Sequence, residues 1–102
     1  MDARLAELMG WRVIYDKSVF KIWRGQSMVE TVGPPNFSQN IALCFSEVVP
    51  FMREKGLYLH LDLWANDRWR AIFLPREKED DMPSFSGAPA EAIVEAAIKA
   101  LE

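Results

Sequence analysis

Residues 57–64, Leu-Tyr-Leu-His-Leu-Asp-Leu-Trp, carry a leucine at every second position. A period of two sends Leu57, Leu59, Leu61 and Leu63 to one side of an extended chain. Tyr58, His60, Asp62 and Trp64 go to the other side, whereas a helix would scatter the leucines round its axis. The stretch is therefore a strand, and its leucine face must be covered. Ala65-Asn66-Asp67 reads as a turn, and residues 68–74 (RWRAIFL) return antiparallel. A three-residue loop sets Asp62 opposite Arg70 and Leu61 opposite Ala71, and adds Trp69, Ala71 and Phe73 to the leucine face. A two-residue loop would set Trp64 against Trp69 and leave Asp62 without its arginine. The register that pairs the charges is the expected one.

The same period recurs upstream. Trp11, Val13 and Tyr15 alternate with Arg12, Ile14 and Asp16; after a turn at Asp16-Lys17-Ser18, Val19, Lys21 and Trp23 alternate with Phe20, Ile22 and Arg24. This is a second hairpin, with apolar residues on both faces, so the alternation leaves open which face is buried. A short edge strand is expected around 28–32, ended by Pro34 and Pro35.

Helical spacing fills the remainder. Residues 2–9 suit a short helix with Asp2 as its cap and Gly10 as its stop. Ser38 is the expected cap of the longest helix, about 39–55, whose stripe is Ile41, Cys44, Phe45, Val48 and Met52. Pro50 falls inside it and predicts a kink or a break, since it removes one hydrogen bond and crowds the carbonyl of Ser46. Residues 75–87 (PREKEDDMPSFSG) read as a solvated loop. The last helix, 88–101, has Pro89 in its first turn and a stripe of Ala90, Ile93, Val94, Ala97, Ile98 and Leu101, with Glu91, Glu95 and Lys99 toward water. The expected fold is α+β: an antiparallel sheet of two β-hairpins packed by two long helices and a short N-terminal helix, in the order α-β-β-α-β-β-α.

At 102 residues the chain makes one domain, 1–102, because two independent cores would each be too small. Half of it is hydrophobic, 26% is charged, and four Trp, six Phe and two Tyr imply either a dense core or an aromatic surface open to a partner. With 12 Lys and Arg against 15 Asp and Glu the net charge is −3, which argues against direct nucleic-acid binding, where a basic patch releases counterions. No stretch approaches the ~20 apolar residues that span a bilayer. The N-terminus lacks the basic start and apolar run of a signal peptide, so a cytoplasmic location is expected. Cys44, the one cysteine, falls on a helical stripe and reads as a small core residue. The one histidine, His60, lies on a strand, and nothing supplies the base a nucleophile requires.

Four segments together resemble the phage ABA sandwich domain family, small proteins of phages and prophages mostly of Gram-positive bacteria. LMGWRV (8–13) is similar to its Met-Gly-Trp after the first helix. PNFSQNIALCFSEVVPFMREKG (35–56) is similar to its entry into the long helix, with Phe45 where the family usually has Trp. WRAIF (69–73) resembles its Trp-x-x-x-aromatic strand, and APAEAIVEAAIKAL (88–101) its alanine-rich closing helix. The resemblance covers about half the chain. It implies a viral origin, the host bacterial cytoplasm as workplace and a role accessory to infection, and it assigns no active-site residue.

Three groups of residues are candidates for function. The acidic run Glu77, Glu79, Asp80 and Asp81 lacks the glycine turn and spaced ligands of a calcium loop and reads as solvated; no metal is expected. Tyr58, His60, Trp64 and Arg68 share the non-leucine face of the second hairpin, with Asp62 and Arg70 as an ion pair among them. Under a helix these are core residues; left open, they form an aromatic and guanidinium surface of the kind enriched at interfaces and base-stacking sites. Trp23 beside Arg24 offers the same combination in the first hairpin. No glycine-rich phosphate loop or nucleophile motif is present, so the expectation is a protein that is not an enzyme and needs no cofactor. It would act by stoichiometric binding to a host defence protein, such as a CRISPR effector, or to a nucleotide signal. The alternative is an assembly module of a larger phage complex. Hairpin edges and exposed tryptophans need cover, so a homo-oligomer is expected.

Overall fold

The computed structural model describes residues 1–74 and 83–102. The acidic run of the 75–87 segment lies outside the described residues. The chain is mixed α+β, with two separate three-stranded antiparallel sheets in place of the single sheet expected. The first hairpin carries the third strand expected around 28–32, and the second gains one in the segment expected to be loop.

The first helix, α1 (Asp2–Leu8), buries Leu5 and Ala6 and stops at Gly10, whose φ of +81° is left-handed. Asp2 is not its cap. Met1 holds that position, and the Asp2 carboxylate instead accepts hydrogen bonds from the Ser38 backbone N–H at 3.1 Å and from its hydroxyl at 2.9 Å. Strands β1 (Trp11–Asp16), β2 (Val19–Arg24) and β3 (Ser27–Thr31) form the first sheet in that order, with Trp11 opposite Arg24. Lys17 and Ser18 both take positive φ, 50° and 68°, so the turn has the twist that a two-residue hairpin needs.

Ser38 does not cap the long helix. It sits within a 3-10 turn, Phe37–Gln39, held to α1 through Asp2, and Asn40 is the cap, its Oδ1 accepting from the Leu43 N–H at 3.1 Å. The helical stretch 41–54, here α2, opens as an α-turn at Ile41–Leu43, widens to a π-turn at Cys44–Val48 and returns to α at Val49–Glu54. The expected kink or break at Pro50 is replaced by this widening. Pro50 has no N–H to give Ser46, and the Val49 N–H reaches five residues back to the Cys44 carbonyl. The π-turn also splits the expected stripe: Cys44, Val48 and Met52 are buried, whereas Ile41 is 38% and Phe45 51% exposed. Gly56, at φ +78°, turns the chain out of α2.

Strands β4 (Tyr58–Trp64), β5 (Arg68–Leu74) and β6 (Ser84–Ser86) form the second sheet. The Ala65–Asp67 loop has three residues, with Asn66 and Asp67 at φ 64° and 57°, and the register sets Asp62 opposite Arg70 and Leu61 opposite Ala71 as the charge pairing required. Strand β6 falls in a segment read as loop. Its Ser-Phe-Ser has no hydrophobic alternation to betray it, yet Ser84 and Ser86 are buried against α3 (Pro89–Leu101).

Helix α3 is the centre of the molecule. Ala92, Ile93, Val94, Ala96 and Ala97 have no exposure, and the helix packs on α1, the 3-10 turn, α2, β5 and β6. Its small residues let these elements approach closely. Glu91 and Glu95, expected in water, are half-buried as a result. Cys44 is fully buried and its Sγ donates to the Phe37 carbonyl at 3.1 Å. Burial, helped by the Asp2 charge, raises its thiol pKa from 9.0 to about 11. Folding therefore favours the protonated thiol: this contribution is intact below pH 9 and is lost as the pH rises toward 11. At pH 8, alkylation of Cys44 in the folded protein is expected to be at least ~100-fold slower than in urea, from thiolate population alone. Equal rates by mass spectrometry would place the thiol at the surface.

Candidate functional site

The three-residue loop and the pleat decide which side chains share a surface. On the inner side of the second sheet, Leu57, Leu59, Leu61, Trp69, Ala71 and Phe73 join the core. On the outer side the register stacks Tyr58 by Leu74, His60 by Ile72, Asp62 by Arg70 and Phe85, and Trp64 by Arg68. Among the described residues no helix covers this outer side. Tyr58 is 53% and Trp64 49% exposed, and His60 and Arg68 are exposed.

The centre of this face is held rigidly. Arg70 donates to Asp62 twice, Nε to Oδ1 at 3.0 Å and Nη2 to Oδ2 at 2.7 Å. Its guanidinium lies over the Trp64 ring, 4.5 Å from the centroid, and Phe85 meets Trp64 edge-on at 6.2 Å. The bidentate pair fixes the arginine plane, and the arginine fixes the indole. A tryptophan already held in place loses little conformational entropy when a partner packs on it. Arg70 belongs to the face through this stack, a role that the ion pair alone did not disclose. Phe85 was invisible in the sequence, because β6 was.

The structure gathers Tyr58, His60, Trp64 and Arg68 on one face and leaves Trp23 and Arg24 on the other sheet. Trp23 and Arg24 are also divided from each other, because consecutive strand residues point to opposite sides. Trp23 lies under Arg12, at 5.6 Å, on the side away from α2. Arg24 lies on the core side, 5.2 Å over the Trp11 ring, and its Nη1 donates to Glu47 Oε1 of α2 at 2.6 Å. The expected aromatic and guanidinium pairing thus recurs with exchanged partners.

The Arg24–Glu47 bridge spans the space between the first sheet and α2 and separates two clefts. One, of about 430 Å³, is lined by Trp11, Val29, Pro35 and Leu43 among others. The other, of about 360 Å³, shares Trp11, Arg24 and Glu47 and adds Phe51 and Glu54. The bridge side chains are only 36% and 29% exposed. Arg24→Met strands the Glu47 carboxylate and is expected to cost about 1–2 kcal/mol after discounting for solvent screening. Adding Glu47→Gln should recover part of that loss in urea denaturation. An unchanged stability in Arg24→Met would mean the bridge contributes nothing.

Cys44 and His60 do not meet: the thiol is sealed in the core and the imidazole lies on the open face. No group of three His, Cys, Asp or Glu side chains suited to a metal occurs among the described residues. No helix among them is long and apolar enough to cross a membrane. Comparisons of the chain with protein-family models, curated sequences and solved structures find no match.

Proposed function

We propose that this chain is a non-catalytic binding protein that occupies a protein target through the outer face of its second sheet. The observation that carries this reading is the pre-set Trp64–Arg70–Asp62 stack, its indole exposed and flanked by Tyr58, His60 and Arg68. Trp, Tyr and Arg supply most of the binding energy at protein interfaces, and here they converge on one surface already ordered for contact. The resemblance to the phage ABA sandwich domain family supplies the setting. In that setting the chain is an ABA sandwich, and the target is a host defence protein met in the bacterial cytoplasm. A role as an assembly module in a larger phage complex would use the same face on a different partner.

Sequestering a nucleotide signal has weaker support. The clefts beside the first sheet have Arg24 as their one guanidinium, and Glu47 already neutralises it. A phosphate would have to displace that carboxylate, and Glu54 adds further negative charge nearby.

The test recovers the tagged protein gently from infected, defence-active cells and weighs it by native mass spectrometry. A protein partner that is retained by the wild type and lost from the Trp64→Ala/Arg68→Ala variant is the expected result. A mass excess equal to a nucleotide, or a partner equally retained by the variant, would overturn it.

A further inference from the structure

We propose that β4 is an interface between two copies of this chain, paired antiparallel about a two-fold axis at Leu61 so that their second sheets join into one. The inference concerns the edge of the sheet and goes beyond the reading of its outer face.

Strand β4 is an edge of its sheet, and among the described residues nothing pairs with its outer side. The other edges among the described residues are shorter, and two of them carry charged side chains. Strand β6 has three residues, β3 has five with Glu30 among them, and β1 carries Arg12 and Asp16. Strand β4 has seven residues with no proline, glycine or lysine. Its one carboxylate, Asp62, is bonded to Arg70.

The order of residues along β4 suits this partner in particular. Pairing about Leu61 sets Leu61 against itself once, on the axis, and His60 against Asp62, Leu59 against Leu63 and Tyr58 against Trp64 twice each. Every pair is complementary: apolar with apolar, aromatic with aromatic, and imidazole with carboxylate. An isologous contact demands this self-complementarity, which an arbitrary edge strand lacks. Two further observations lie on the same edge. Leu63 is on the inner face yet 57% exposed, and its place in the paired sheet is beside Leu59 of the second copy. Leu59 and Leu61 line a mixed groove of about 430 Å³ with Phe45, Val49 and Leu57 as its apolar wall and Tyr58 and Arg53 as its polar one, and Phe45 stands half open. Pairing would bring the Leu63 of each copy to the groove of the other.

Sedimentation of the full chain over a range of concentrations, with no binding partner added, tests this separately from the outer-face reading. The wild type is expected to dimerise reversibly. His60→Asp sets aspartate against Asp62 at both symmetric positions and should raise the dimer dissociation constant roughly tenfold or more. Leu63→Lys should do at least as much. His60→Lys sets an ammonium against the Asp62 carboxylate and should leave the dimer intact. His60 and Leu63 are exposed, so the melting of the monomer should not change. A wild type that stays monomeric throughout, or a dimer equally tight in His60→Asp and Leu63→Lys, overturns the proposal.

Discussion

Phe37→Ala is expected to remove about 3–5 kcal/mol of stability, a large share of the roughly 5–15 kcal/mol that holds a domain together. Phe37 has no exposure, and it stands where three elements meet. Its ring packs against Trp11 of β1 with centroids 5.1 Å apart. Its carbonyl accepts the Cys44 thiol of α2, and the next residue, Ser38, is held by Asp2 of α1. The turn cannot slide inward to fill the gap without breaking these bonds, so the cavity term adds to the lost burial. Urea denaturation should show a lower midpoint with an unchanged slope. A loss under about 1 kcal/mol would mean that the turn collapses onto the space. Phe45→Ala makes the contrast: the same side chain is removed from a position 51% exposed, and the monomer should lose far less.

Trp64→Ala combined with Arg68→Ala is expected to abolish binding while leaving the fold as it was. Removal of an interface anchor of this kind costs about 2 kcal/mol or more, roughly 30-fold in affinity for each residue. Both side chains stand on the uncovered face, so their loss opens no cavity in the core. Arg70→Ala tests a different property. It frees the Asp62 carboxylate and unfastens the indole, so binding should weaken although the contact residues remain. A melting temperature that collapses in Trp64→Ala would instead make the outer face a structural surface.

The second hairpin was legible because two independent signals agreed on it. Alternation alone permits two registers, and the Asp62–Arg70 charge pair selects one. The closing helix was equally plain, since its stripe is long and Pro89 marks its start. What local sequence could not disclose was set by distant partners. Ser38 and Asn40 are comparable caps by residue type, and Asp2, remote in sequence, captures Ser38 for another task. Trp23 and Arg24 look like a pair in one dimension, but the pleat sends them apart. Glu47 then claims Arg24 from 23 residues away, with nothing local to announce it. Pro50 signalled a disturbance correctly, and only the backbone could reveal a wider turn as its form. The acidic segment before β6 lies outside the described residues, so the solvated reading of it stands as an expectation.

Helix α3, against which both the 3-10 turn and the second sheet rest, is also made after every other element described. Everything before it is made first and has nothing to close upon. The hairpins can form early, since their contacts are local, but the inner faces of β4 and β5 and the buried side of α2 stay open until α3 arrives. During synthesis the chain is thus a set of adhesive surfaces, exposed to chaperones and to one another. Cooperative folding of the described elements therefore waits for α3.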